Sequence, residues 1–323
     1  MQENDLLLDV QDLRTYFFLD GGRVLKAVDG VSFKVHRGET LGIVGESGSG
    51  KSVTARSILR VVEAPGKIVG GKILFEGQDL LTLSNMEKIR GKRISMVFQD
   101  PGAALDPLFT VGSQYVETIT ANIKSTHQQA IDRAIKSMKA VGVPDPTSAL
   151  HQYPMEFSAG MIQRLMIGLA ISCDPSLILA DEPTTTLGVT IQAQILRTLA
   201  NTQKELCMAM ILITHDFGVI SQMADDIMVM YGGKCMEYSD KNTMLVKPRH
   251  PYTLGLIHSV PSIEKETISR LKEIPGFPPD MLNLPPGCPF APRCERAKEQ
   301  CHIEVPPLEE IENKHWIACY YPY

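Results

Sequence analysis

Gly45-Glu46-Ser47-Gly48-Ser49-Gly50-Lys51-Ser52 decides how the rest of the chain reads. The stretch completes the pattern G-x-x-x-x-G-K-[ST]. Before it lies Thr40–Val44, an apolar run that reads as a buried strand; after it, residues 53–62 read as the following helix. Glycines let a backbone curl until its N–H groups point inward at a phosphate, and a helix start adds partial positive charge. Lys51 can then reach the β- and γ-phosphates of a nucleotide, and the Ser52 hydroxyl can ligate Mg²⁺. Gly45, Ser47, Gly48, Gly50, Lys51, Ser52 and Val53, the first residue of the helix, are therefore the candidate nucleotide contacts.

A second motif lies far downstream. Leu177–Asp181 followed by Glu182 is an apolar strand ending in two carboxylates. A strand that is apolar throughout is buried on both faces, as in a parallel sheet, and ligands of such sheets bind at the strand ends. Asp181 is expected to hold Mg²⁺ through water and Glu182 to polarise an attacking water. Alone, two acids after a strand carry little weight; paired with the loop, they complete a nucleotide-hydrolysing site.

Composition bounds the remaining possibilities. With 323 residues, 44% of them hydrophobic, the chain can build one large domain and a smaller one. The net charge of −5 offers no basic excess for nucleic acid, so no nucleic-acid partner is expected. Residues 1–10, MQENDLLLDV, are acidic and lack a charged-then-apolar signal pattern. No apolar run is long enough to span a bilayer, so any membrane role needs other chains to do the spanning.

Residues 6–13, 28–35 and 71–75 read as strands. Helix signals dominate from about 100 to 170, including 128–141 and Ala159–Ile171. Strand–helix–strand alternation returns with Leu177–Asp181, 191–205, Ala209–Thr214 and 227–231, which implies a parallel core sheet. Thirteen of the 21 prolines fall between Pro248 and Pro322, a density that excludes long regular elements and marks a separate loop-rich extension.

Three further pieces identify a family. Val97-Phe98-Gln99-Asp100-Pro101 ends a strand with glutamine, Phe157-Ser158-Ala159-Gly160-Met161-Ile162-Gln163-Arg164 opens a helix, and Ile213-Thr214-His215-Asp216 ends a strand with histidine. In this order the set resembles the ATP-binding subunit of an ABC transporter over residues 5–260. Phe98–Pro107, Arg249-His250-Pro251-Tyr252-Thr253 and Gly287-Cys288-Pro289-Phe290-Ala291-Pro292-Arg293-Cys294 narrow the resemblance to the oligopeptide/dipeptide importer branch, of the dipeptide-transporter type, across nearly the whole chain. Nickel importers share that branch.

The resemblance implies an α/β fold: a P-loop NTPase core with an antiparallel β subdomain and a helical subdomain at about 100–170, together spanning residues 1–246, and a small Cys-cluster extension at 247–323. It implies an ATPase, a peripheral protein on the cytoplasmic face of the cell membrane. Its partners would be a second, different ATPase subunit, two transmembrane permease subunits and, indirectly, an extracytoplasmic peptide-binding protein. Phe17, with Tyr16 and Phe18 as neighbouring alternatives, would stack on adenine. Gln99 would contact Mg²⁺ or the water, and His215 the γ-phosphate. Ser158 and Gly160 would cover the γ-phosphate bound by the other ATPase subunit, because a helix start with exposed N–H groups is an anion site.

Two positions depart from the family pattern: Ala159 stands where glycine is usual, and Gly188 where aspartate is usual. Together they imply a weak or asymmetric composite site. A weakly active regulatory ATP-binding subunit is thus an alternative to the peptide motor, as is a nickel-importer ATPase. A soluble ABC ATPase acting on DNA or ribosomes would carry a coiled-coil insert or tandem halves, which this chain lacks.

Cys288, Cys294, Cys301 and Cys319 form a C-x5-C-x6-C-x17-C pattern. Four thiolates in one short segment suit zinc or an iron–sulfur cluster, and the C-x2-C knuckles common in structural zinc sites are missing. Free thiols or a disulfide remain open on spacing alone. In the importer branch the motif resembles a [4Fe–4S] site, expected to be structural and away from the ATP site, with Zn²⁺ as the alternative. His302 and His315 flank the last two cysteines as substitute ligands.

Overall fold

The structure, a computed structural model, describes residues 5–184, 188–259 and 274–323. The chain forms two compact units. The loop unit comprises Leu6–Val35, Thr40–Leu81 and Ile213–Tyr323; the helical unit comprises Met1–Asp5, His36–Glu39 and Thr82–Leu212.

The loop unit begins with β1 (Leu6–Phe18) and β2 (Val24–His36), then β3 (Thr40–Val44), helix α1 (Lys51–Ile58), β4 (Gly66–Phe75) and β5 (Gln78–Asp79). Strands β2, β1, β4 and β5 form an antiparallel sheet in that order. It is the antiparallel β subdomain the family resemblance implied. Its strands run longer than their apolar alternation, which stops where one face turns to solvent. Gly71 marks a bulge: its φ is +94°, and a Cβ there would sit 2.6 Å from the carbonyl oxygens of Gln11 and Asp12. All five residues of β3 are buried. Helix α1 ends earlier than its apolar spacing forecasts, because Arg60 turns to φ 54° and cannot continue the helix.

The helical unit carries β6 (Ile94–Val97), α2 (Pro101–Ala104), α3 (Val111–Asn122), α4 (His127–Ala140), α5 (Pro146–Ala149), α6 (Ala159–Ile171), β7 (Leu177–Asp181), α7 (Val189–Leu206) and the first part of β8 (Ala209–Thr214). Strands β6 and β7 are parallel, from Ile94 opposite Leu177 to Val97 opposite Ala180. Every residue of β6, β7 and β8 is buried. The chain alternates strand and helix here as the sequence forecast. Sharp N-caps fix the helix starts: Thr110 accepts from the Ser113 N–H, and Thr126 with Gln129 forms a capping box.

After β8 the loop unit resumes with α8 (Phe217–Met223), β9 (Asp226–Tyr231), β10 (Lys234–Asp240), α9 (Lys241–Val246), α10 (Pro251–Ser259), α11 (Glu299–Ile303), β11 (Glu309–Glu312) and β12 (His315–Ile317). Strand β3 pairs parallel with β9, while β10 and β12 continue outward antiparallel. The forecast of a parallel sheet therefore holds for the inner strands and changes sign at β10, where a two-glycine turn at Gly232-Gly233, both at positive φ, folds the chain back as a hairpin.

The proline-dense segment is not separate from this core. Its strand β12 pairs with β10, placing Ile317 opposite Glu237. There His315 and Glu237, both with fully buried side chains, meet at 2.7 Å. The Glu237 carboxylate also accepts from the backbone N–H groups of Arg249 (2.7 Å) and His250 (3.0 Å). A buried carboxylate needs such partners, so these contacts tie the start of the extension to the sheet edge.

Candidate functional site

The loop between β3 and α1 is built around Lys51. Its side chain is buried, and its Nζ donates to the carbonyls of Gly45 and Glu46, each at 2.8 Å, and to Ser49 Oγ at 3.4 Å. The ammonium thus sits inside the curl of the loop, where a phosphate would meet it. Two glycines are dictated by space. A Cβ on Gly45 would lie 2.2 Å from the Met230 carbonyl oxygen, and one on Gly50 2.2 Å from that of Ala27. No other residue fits those approaches. Ser47 and Gly48 are exposed at the rim, and Ser52 and Val53 are half-buried in the first turn of α1.

Elsewhere in the loop unit, Phe17 is half-buried near the end of β1, and its ring stands over Gly66 on β4: a Cβ on Gly66 would come within 2.7 Å of Phe17 Cε1. Tyr16 is committed elsewhere, its hydroxyl donating to Asp29 Oδ1 at 2.6 Å, while Phe18 is exposed. His215 is exposed directly after β8, and the next residue, Asp216, caps α8 by accepting from the Gly218 N–H at 2.8 Å.

In the helical unit, Asp181 is buried at the end of β7. Glu182 follows at φ 46°, a left-handed conformation that glutamate rarely adopts and that turns the chain sharply after the strand. Gln99, after β6, donates from Nε2 to Glu182 Oε2 at 3.2 Å. Parallel pairing of β6 and β7 is what brings these two side chains, 83 positions apart, to the same strand ends. Ser158 precedes α6 in extended backbone and makes no side-chain cap bond to its own helix. Ala159 is exposed there, and Gly160 is buried against Ile191. At Gly188 an added Cβ would meet nothing within 4 Å, so space does not require glycine.

Sequence reasoning missed what holds the loop from behind. The Glu46 N–H donates to the Tyr252 hydroxyl at 2.8 Å, and the Glu46 carboxylate receives both ends of the Arg293 guanidinium, at 2.6 and 3.0 Å. Tyr231 packs edge to face on Tyr252 and Phe290, which tilt against each other, with ring centroids 4.6 to 5.3 Å apart. The signal available was that Tyr252, Phe290 and Arg293 lie in two of the three motifs that narrow the family.

Cys288, Cys294, Cys301 and Cys319 line one small cavity, and all four are free thiols, so the disulfide alternative falls away. Burial, reinforced by the neighbouring cysteines, pushes Cys288 up to about 12 and Cys319 to about 11, and raises Cys294 as well. Among the described residues no group of three or more His, Cys, Asp or Glu stands arranged as a metal site. The four cysteines grouped in the sequence line one shared cavity. Neither His302 nor His315 lines it; His250 does, as a neutral imidazole whose pKa burial lowers to about 4. Its Nδ1 accepts from the Tyr252 N–H at 3.0 Å, which leaves the proton on a buried Nε2.

Comparison with known proteins agrees with this geometry. Residues 28–185 match the ABC transporter family, and residues 236–301 match the oligopeptide/dipeptide transporter C-terminal region. A probable peptide ABC transporter ATP-binding protein of Sinorhizobium fredii is 45% identical over 99% of this chain and 97% of its own. The oligopeptide transport ATP-binding protein OppD of Escherichia coli is 44% identical over 99% and 95%. The dipeptide transport ATP-binding protein DppD of Bacillus subtilis is 44% identical over 97% and 94%. Among solved structures, a dimeric ATP-binding cassette in a post-hydrolysis state with ADP and Pi aligns with a TM-score of 0.65 at 23% identity, covering 73% of this chain and 99% of that one. That likeness shows the cassette fold.

Proposed function

The chain belongs to the ATP-binding subunits of ABC transporters, and from that premise we propose that it is the ATP-hydrolysing motor of a di- or oligopeptide importer. The observation that carries the reading is full-length similarity to peptide-transport ATPases in a chain whose phosphate loop closes around Lys51. Uptake of a labelled dipeptide by cells expressing the chain with its permeases tests the cargo. Uptake of nickel in place of peptide would reject peptide for the nickel-importer alternative.

In this reading the loop residues Gly45 to Val53 cradle the triphosphate, with Lys51 on the β- and γ-oxygens and Ser52 on Mg²⁺. Asp181 holds the metal's water shell, Glu182 polarises the attacking water, Gln99 reports its position to the helical segment, and His215 binds the γ-phosphate. Phe17 stacks on adenine, the one of three neighbouring aromatics that is neither tied to Asp29, as Tyr16 is, nor exposed, as Phe18 is. Ser158 and Gly160 serve the nucleotide of a second ATPase subunit. ATP favours the closed pair over the open one, and that difference in affinity supplies the work.

Permease subunits complete the machine, since no helix among the described residues is long and apolar enough to cross a membrane. Leu108, Phe109, Tyr153 and Met155, exposed on the helical unit, offer the apolar surface for such a contact. The second ATPase subunit, the extracytoplasmic binding protein, the cytoplasmic face and the boundary near residue 247 belong to the same proposal. Because the γ-phosphate cover must come from another chain, the isolated protein is expected to hydrolyse ATP slowly and remain largely monomeric. Fast turnover at low concentration, insensitive to dilution, would reject this.

The four-cysteine cavity is proposed to hold a [4Fe–4S] cluster, with Zn²⁺ as the alternative. The supporting observations are four free thiols around one space and a buried Nε2–H on its wall. Such a group would add metal–thiolate bonds to a segment poor in apolar core, so that binding energy becomes folding energy. Anaerobic purification with iron, sulfide and zinc analysis is expected to give about four iron and four sulfide per chain. One zinc without sulfide would transfer the site to zinc, and neither metal would leave thiols.

A further inference from the structure

Glu46 lies inside the phosphate loop, yet its carboxylate and its backbone N–H are both held by residues from beyond residue 246. The Arg293 guanidinium grips its carboxylate with two hydrogen bonds, and the Arg293 side chain is only 7% exposed. Arg293 also donates to the Pro275 carbonyl at 2.8 Å and to the Tyr231 hydroxyl at 3.2 Å, which fixes the fork before it meets Glu46. Tyr252 holds the Glu46 backbone at the same time. A carboxylate within a loop that must wrap a triphosphate is an electrostatic liability: left unpaired, its charge opposes that of the nucleotide in a part-buried setting. A two-pronged arginine contact removes most of that repulsion and fixes the direction of the loop backbone as well.

We propose that Arg293 is a positioning residue for nucleotide binding: through Glu46, the C-terminal extension neutralises the phosphate loop and holds it in its receiving conformation. The extension is thereby a working part of the ATP site. Cys294 is the next residue in the chain, so whatever orders the cysteine cavity also seats Arg293. The cysteine site is expected away from the ATP site, yet Arg293, next to Cys294 in the chain, reaches the loop at Glu46.

The inference rests on the loop being the nucleotide site, and the experiment separates the two. MgATP is titrated calorimetrically into the full-length chain, into Arg293→Ala, Arg293→Lys and Glu46→Gln, and into each Arg293 change made together with Glu46→Gln. Arg293→Ala is expected to weaken MgATP binding at least fivefold in the presence of Glu46 and less than twofold beside Glu46→Gln, because no charge then needs neutralising. Arg293→Lys, which keeps the charge and loses the fork, is expected to fall between wild type and Arg293→Ala. A purely structural role for Arg293 would lower the melting temperature equally in both backgrounds and leave this coupling at zero. Affinity within twofold of wild type for Arg293→Ala, or an equal penalty in both backgrounds, overturns the proposal. If Arg293→Ala does not fold, Arg293→Lys in the two backgrounds decides by the same coupling. Lys51→Ala serves as the control: if it binds MgATP normally, the site reading fails; if it loses binding while the Arg293 variants do not, only the present inference fails.

Discussion

Replacement of Lys51 by alanine is expected to weaken MgATP binding by about 10²-fold or more, beyond easy detection by equilibrium titration. The ammonium is buried at the centre of the loop, so its loss removes a charged donor where solvent cannot substitute. Hydrogen bonds to charged groups contribute about 1.5–3 kcal/mol each, and about 3 kcal/mol corresponds to that factor. The same Nζ holds the Gly45 and Glu46 carbonyls at 2.8 Å, so the loop also loses part of its own frame. Circular dichroism and melting temperature should stay close to wild type, since the Nζ bonds to Gly45, Glu46 and Ser49 lie within the loop. Normal affinity in a folded Lys51→Ala protein would remove this loop from the nucleotide site.

Glu182→Gln is expected to do the opposite: MgATP stays bound while hydrolysis in the assembled transporter slows about 10²–10⁴-fold, the range that a positioned general base supplies. The change is nearly isosteric, and the amide oxygen can still accept from Gln99 Nε2 as the carboxylate does at 3.2 Å. Only the capacity to draw a proton from water is lost. Filter binding of labelled ATP alongside phosphate release separates the two effects. Equal loss of binding in Lys51→Ala and Glu182→Gln would refute the role assigned to Glu182, and unchanged turnover would move the base elsewhere.

Elements whose cause is local were legible in the sequence. Thr40–Val44, Leu177–Asp181 and Ala209–Thr214 are continuous apolar runs, and each forms a strand with the forecast bounds. Helix α6 likewise runs over Ala159–Ile171 as expected. Helix α3 was not anticipated, because its buried face is the sparse set Val111, Tyr115 and Ile119 among glycine, threonines and asparagine of weak helix preference. Strand β10 escaped for a related reason. Its sequence, KCMEYSD, carries a glutamate at its centre, and a lone glutamate signals surface until His315 and two backbone N–H groups are seen to enclose it.

The loop and the strand-end acids could be read residue by residue, because that chemistry is written in contiguous residues whose spacing fixes backbone geometry. The family could be read as well, through motifs in a set order. What those motifs rest on came from the folded chain. Gln99 meets Glu182 because two strands pair in parallel. Arg293 meets Glu46 across 247 positions, and Tyr252 meets it across 206. No local rule selects such partners: a charged side chain read alone belongs to the surface, and it is buried only where the folded chain brings a complementary charge and a rigid aromatic wall to the same place.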